Sequence, residues 1–330
     1  MNATSTLLPP DAQSRPAGDT RAPHTPPPTG RGPRRRRNLA PFALLAPGGI
    51  LLALVTLAPI VFVVFISFTD FGQRSLFTGA FAGVGFDQYT ALLGDPEFWY
   101  SVLRTIGFTV ALVAGSVLIG MGISHLLTRL NTGMRLAVTI VLICAWAMPN
   151  VAASLVWTWL FQPGYGVMNW LLTQLHVFGD MTNTNWANDP VLAYTSIWML
   201  VVWQAVPFIA LTLNAAETQV PGEYIEAARL DGAGEFRIYR TVTLQHMKPT
   251  LFLVTILSVI WDFNIFNQIW LVSSGGPDGA TSTLGVFMYT TAFVGFDIAR
   301  GAAIAVVTTL MLLGLTAVYI RSLIRSGEEL

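Results

Sequence analysis

Of 330 residues, 53% are hydrophobic and only 11% charged, and 18 basic residues balance 18 acidic ones. A soluble domain of this length needs far more charge to cover its surface, so a water-soluble fold is excluded. The one cysteine, Cys144, lies in an apolar run, which excludes disulfides and a cysteine-based metal site.

Residues 1–38 hold eight of the nineteen prolines and no periodic apolar pattern. Such a segment buries too little surface to offset its ordering entropy, and a disordered tail is expected. The Arg34–Arg37 run that closes it is read as a topology anchor at anionic headgroups. A twin-arginine export signal is the competing reading, and the long uncleaved apolar stretch behind it argues against that.

A hydrocarbon core about 30 Å thick needs about 20 helical residues. Six apolar stretches reach that length, at roughly 41–68, 103–127, 134–161, 191–214, 250–273 and 301–324. The expected fold is therefore all-α, a polytopic membrane protein of six transmembrane helices. The first stretch is too long for a signal-peptide core, and Pro47 and Pro59 within it are tolerable where neighbouring helices satisfy the freed carbonyls.

Arginine and lysine set the orientation. With the N-terminus inside, fifteen of the eighteen basic residues face the cytoplasm, and Arg74, Arg104 and Arg300 remain outside. Without the tail the count is still eight against three. Both termini are expected in the cytoplasm. The external loops then fall at about 69–102, 162–190 and 274–300. The second carries Leu171, Leu172, Leu175 and Val177, one face of a short helix on the membrane surface.

The cytoplasmic connection at about 215–249 is too polar for the bilayer. Pro221 suits a first helical position, and Glu223 and Glu226 suit first turns, where the helix dipole favours acids. Tyr224, Ala227, Ala228 and Leu230 supply small and apolar contacts. Gly232 and Gly234 end this helix, and a second helical stretch is expected from about Phe236, making a helix–turn–helix knob.

This knob resembles the cytoplasmic signature of the binding-protein-dependent permeases of bacterial ABC transporters: Glu-Ala-Ala, three residues, Gly, nine residues, then Ile-x-Leu-Pro. Glu226, Ala227, Ala228, Gly232 and Leu244 match it, Val242 takes the Ile position, and Gln245 departs from the family's Pro while Pro249 is kept. The run Phe263–Pro277, with Thr283, Tyr289 and Phe293, is similar to the maltose-type (MalF-like) carbohydrate branch. The resemblance implies a permease domain over 39–330 in a bacterial cell membrane. It also implies a second permease subunit (MalG-like), two ATPase subunits and an extracellular solute-binding lipoprotein. It makes Glu226, Ala227, Ala228, Asp231, Gly232 and Leu244 the ATPase-coupling motif and the cargo a carbohydrate.

The sole lysine, Lys248, stands in Met-Lys-Pro and not in a phosphate-cradling glycine loop, so ATP and Mg belong to the partner ATPases and no cofactor to this chain. His24, His125, His176 and His246 lack metal spacing, no nucleophile–base set marks an enzyme, and the arginine run lacks the interleaved aromatics of a nucleic-acid binder. Polar groups within spans are costly and often functional. In the fifth, Trp261, Asn264 and Gln268 fall on one stripe at 100° per residue and form the expected substrate path, a ring to stack a sugar and amides for its hydroxyls. Interhelical bonding is the plainer reading of such amides. Trp203, Gln204 and Phe208 on the fourth span and Asn150, Ser154 and Trp157 on the third are weaker choices. An ion-gradient-driven secondary carrier of a small polar solute is the competing function, although such carriers show internal repeats and give residues 220–249 no role.

Overall fold

A computed structural model describes residues 40–176 and 178–325; the proline-rich segment, the arginine run, His24 and Val177 lie outside them. The chain divides into two units, Met1–Leu52 and Ala53–Leu330. Where described, the first unit is the opening of helix α1 (Ala40–Ile66), a run without a charged residue that stays helical through Pro47 and Pro59. All that follows concerns the second unit.

The remaining helices are α2 (Gln73–Thr78), α3 (Asp87–Leu93), α4 (Pro96–Arg129), α5 (Thr132–Trp146), α6 (Asn150–Leu160) and α7 (Val167–Gln174). They continue with α8 (Pro190–Glu217), α9 (Gly222–Leu230), α10 (Glu235–Phe263), α11 (Asn267–Ser273), α12 (Leu284–Val294) and α13 (Ile298–Arg325). No strand forms among the described residues. The helices α1, α4, α8, α10 and α13 are long and apolar enough to cross a membrane, and the bent pair α5–α6 brings the number to six when it is counted as one span.

The core is the packing of α4 on α8. Phe108 and Leu112 meet Ile197, Val201, Val202 and Val206, and Ile265, Ile269 and Val286 close the cluster. Two glycines allow this approach: a Cβ on Gly115 would stand 2.4 Å from the Trp198 ring, and one on Gly120 2.5 Å from Ile209. Both helices start on an aspartate–proline pair, with Asp95 accepting from the Glu97 amide and Asp189 from the Leu192 amide, each at 2.9 Å. The last turn of α1 packs Ile66 against Ala299 and Ala302 of α13.

Two expected spans are not continuous. The third breaks at residues 147–149, where α5 and α6 meet at 98°. Pro149 lacks an N–H and disfavours helical geometry at Met148, so the chain turns there. The fifth begins earlier than expected, at Glu235, ends at Phe263, and restarts as α11 after residues 264–266. The polar helix–turn–helix knob also differs: α9 is a separate helix, but the second stretch is the foot of α10, joined to it through a π-helical turn at Tyr239–Thr243. Gln245 is passed without interruption, so the departure there does not alter the helix.

Candidate functional site

The breaks in the third and fifth spans open on one cavity of about 520 Å³. Its wall takes Trp146 from the end of α5, Asn150 from the start of α6, and Val201, Gln204, Ala205 and Phe208 from α8. Ile260, Trp261 and Asp262 come from α10, and residues 264–268 complete it. Helix ends supply polar backbone and short polar side chains at a depth where continuous helices would offer aliphatic ones.

One side is aromatic. The rings of Trp146 and Phe208 lie 6.1 Å apart and nearly parallel, and Trp261 meets Phe208 edge-on at 5.4 Å. The other side is rich in acceptors. Gln204 donates its Nε2 to Asn150 Oδ1 (3.3 Å), leaving its own Oε1 buried and without a partner. Asp262 is 5% exposed, and its Oδ2 is likewise unpartnered. Buried acceptors left open are costly unless something brings donors to them.

Trp261, Asn264 and Gln268 do line this cavity, but not as a stripe on one helix. Asn264 ends α10, turning its Nδ2 back to the Ile260 carbonyl (2.9 Å), and Gln268 belongs to α11 beyond the break. Of the secondary choices, Asn150, Gln204 and Phe208 join them. Trp203 stacks instead on Trp157 at 5.5 Å, and Ser154 bonds its own helix at Asn150 O. Asp262, which lies off the stripe of Trp261, Asn264 and Gln268, and Trp146 were not among the residues chosen from the sequence. Pro149, as a helix breaker, was the available signal. A larger hollow of about 810 Å³ between α4, α10 and α13 is lined mainly by apolar side chains, with Thr109, Thr255, Thr316 and Tyr319 among them.

On the polar loop, Glu226, Ala227 and Ala228 lie in α9, and Asp231 caps it with its N–H on the Ala227 carbonyl (3.0 Å). Gly232 follows at φ +79°, the left-handed geometry that favours glycine. Gly234 does not share it: at φ −72° it precedes α10. Pro221 caps α9 rather than opening it, and Leu244 lies well inside α10, half-buried. Tyr224, Leu230 and Phe236 are exposed, the last two at 89% and 79%, so little among the described residues covers them. Glu235 bridges Arg129 of α4 (2.6 Å) and Arg229 of α9 (2.9 Å). Between α6 and α8, Trp170 and Leu171 of α7 and Leu175 at its end are exposed, while Leu172 is half-buried. No cluster of metal-binding side chains occurs among the described residues.

The family described as "Binding-protein-dependent transport system inner membrane component" matches residues 116–326. The chain is 39% identical over 299 residues to the diacetylchitobiose uptake system permease protein DasB of Streptomyces coelicolor, covering 91% of each. It is 32% identical over 238 residues to the trehalose/maltose transport system permease protein MalF of Thermococcus litoralis, covering 72% of this chain and 79% of that one. Its fold also matches a solved chain of a bacterial alginate ABC transporter in complex with an alginate pentasaccharide-bound periplasmic protein. There the TM-score is 0.72 at 16% identity, over 88% of this chain and 95% of that one.

Proposed function

The chain belongs to the binding-protein-dependent transport system inner membrane components, and we infer from that premise that it is a multi-pass permease subunit of an ABC carbohydrate importer. The relatives named for diacetylchitobiose and for trehalose and maltose support the carbohydrate class. A second permease completes the pathway, an external binding protein delivers the solute, and two ATPase subunits dock on the cytoplasmic side. ATP and Mg are theirs.

The observation that carries the reading is α9. A short helix on a polar loop exposes Leu230 beside Glu226, Ala227 and Ala228, with Phe236 just beyond it. Burying a leucine or phenylalanine side chain on a partner contributes about 1.5–3 kcal/mol, so α9 is suited to a protein groove. ATPase closure then moves α9, and the spans that line the 520 Å³ cavity turn it from one side of the membrane to the other. In the cavity, Trp146, Phe208 and Trp261 stack a sugar face, while Gln204, Asp262, Asn264 and Gln268 meet its hydroxyls.

An ion-driven carrier is not favoured, because it would leave α9 without a task. The test is uptake in vesicles. Complexes with the ATPase should import on addition of ATP, and this chain without an ATPase should not. Uptake driven by an ion gradient alone would overturn the reading. The basic-residue asymmetry supports a cytoplasmic location for both termini. Tags at either end should therefore resist protease on intact cells, and one inserted near Gly179 should be cleaved.

A further inference from the structure

Glu217, the last residue of α8, is buried at 8% exposure. A carboxylate held there needs its oxygens occupied. Both are: one accepts from Ser124 Oγ (2.7 Å) and the other from the His125 ring at Nδ1 (2.8 Å). One turn earlier on α8, Asn214 donates to the Ser124 carbonyl (3.2 Å). Three bonds thus stitch the end of α8 to two consecutive residues of α4.

The far end of the loop comes to the same place. Tyr239, in the π-helical turn at the foot of α10, sets its ring edge-on to His125 at 4.7 Å. The segment that carries α9 therefore leaves from Glu217 and returns at Tyr239, and both ends close on one histidine of α4. Between this cluster and α9 lies a cavity of about 290 Å³, walled by Ile225 and Arg229 of α9, Arg129 and Thr128 of α4, and Glu235. That space leaves α9 free to shift against the cluster. Its ionic tie to α4, through Glu235, is half-exposed and weak by comparison.

We propose that Glu217, His125 and Ser124 are positioning residues for coupling, a clamp of buried Glu217 and Ser124 with half-buried His125, through which displacement of α9 is passed to α4 and α8. α8 lines the substrate cavity, and α4 is its main packing partner. The proposal rests on the reading that α9 docks the ATPase. The π turn beside the clamp suits a hinge, since such turns break the helical register locally.

The experiment uses the full complex in proteoliposomes, with Cys144→Ser as background and Asn267→Cys as a reporter in the cavity wall. A membrane-impermeant maleimide labels the reporter with and without ATP, Mg and vanadate, and ATPase association is measured by co-purification. Glu217→Ala and His125→Ala should keep the ATPase and shrink the nucleotide-dependent change in labelling at least about twofold, the lower end for coupling positions. The double variant should do no more than the stronger single one. Glu217→Gln, which can still bond Ser124, should restore most of the response. Ser124→Ala, the mildest change, should shrink it too, and it decides the matter if the alanine variants at the other two sites do not assemble. A full response in all variants overturns the clamp, as does assembly failure in all of them, since that makes the cluster a packing element. Glu226→Lys is run alongside: if it keeps the ATPase and the response, the docking reading has failed, and not the clamp alone.

Discussion

The loop around α9 turns apolar groups outward with little among the described residues to cover them, whereas the membrane cavity turns polar acceptors inward with no partner among those residues. Each is incomplete, and the kind of incompleteness names the complement. Exposed Leu230 and Phe236 on a polar loop call for an apolar protein surface. Unpartnered Gln204 Oε1 and Asp262 Oδ2 beside three aromatic rings call for a solute that brings hydroxyl donors and a flat face. On the proposed reading the first meets an ATPase subunit and the second the solute.

The contrast can be broken most severely at α9. Gly232→Val forces a β-branched residue to φ +79°, at about 1–3 kcal/mol of strain, although the space around it is open. Glu226→Lys reverses the charge in the middle of α9, where the docking groove is proposed to meet it; only Glu223 lies in the first turn. Both chains should insert normally, yet lose the ATPase on co-purification and nearly all ATP-driven uptake. Wild-type association in both would make the loop a mere linker.

At the cavity the expected signs for stability and transport are opposite. Asp262→Ala removes a buried acceptor with no partner, so the thermal midpoint of the detergent-solubilised chain should hold or rise. Uptake should nevertheless fall about tenfold, as for the loss of a hydrogen bond worth about 1.5 kcal/mol. A destabilised variant with unchanged uptake would mean that Asp262 serves packing.

Smaller losses are expected at the three residues read as a stripe. Alanine at Trp261, Asn264 or Gln268 should cost about 0.5–1.5 kcal/mol in solute interaction, a two- to tenfold fall in uptake with assembly intact. Asn264 should sit at the low end, because its Nδ2 already bonds Ile260 O. Normal uptake in all three would place the path on the second permease. The smallest effect belongs to Arg229→Ala. Its pair with Glu235 is about half exposed, so uptake should change by less than about twofold. A large loss there would shift the transmission route from the buried Glu217 cluster to this outer bridge.

The two regions also differed in how far they could be read from the chain. The loop motif is contiguous, and its chemistry is local: Asp231 and Gly232 end α9 through backbone geometry that the residue types themselves dictate. Gly234 shows the limit, since a second glycine two residues on adopts ordinary φ and opens the next helix. The cavity is not contiguous. The 100° stripe put Trp261, Asn264 and Gln268 together on a helix that in fact stops at Phe263, and they meet only because the chain breaks and restarts.

By itself the sequence determined the membrane class, the six apolar stretches, the polar loop and its motif. Each follows from composition, the length of an apolar run or residue types at fixed spacing, which are properties of a chain before it packs. Only the tertiary structure decided that two spans are broken, that both breaks face one cavity, and that Glu217 and Tyr239 close on His125. Those depend on which helices are neighbours. A proline in a long apolar run is compatible with a continuous helix, as at Pro47 and Pro59, or with a break, as at Pro149. Residue type and an apolar run do not choose between them, because a proline within a helix and a break are both compatible with the same run.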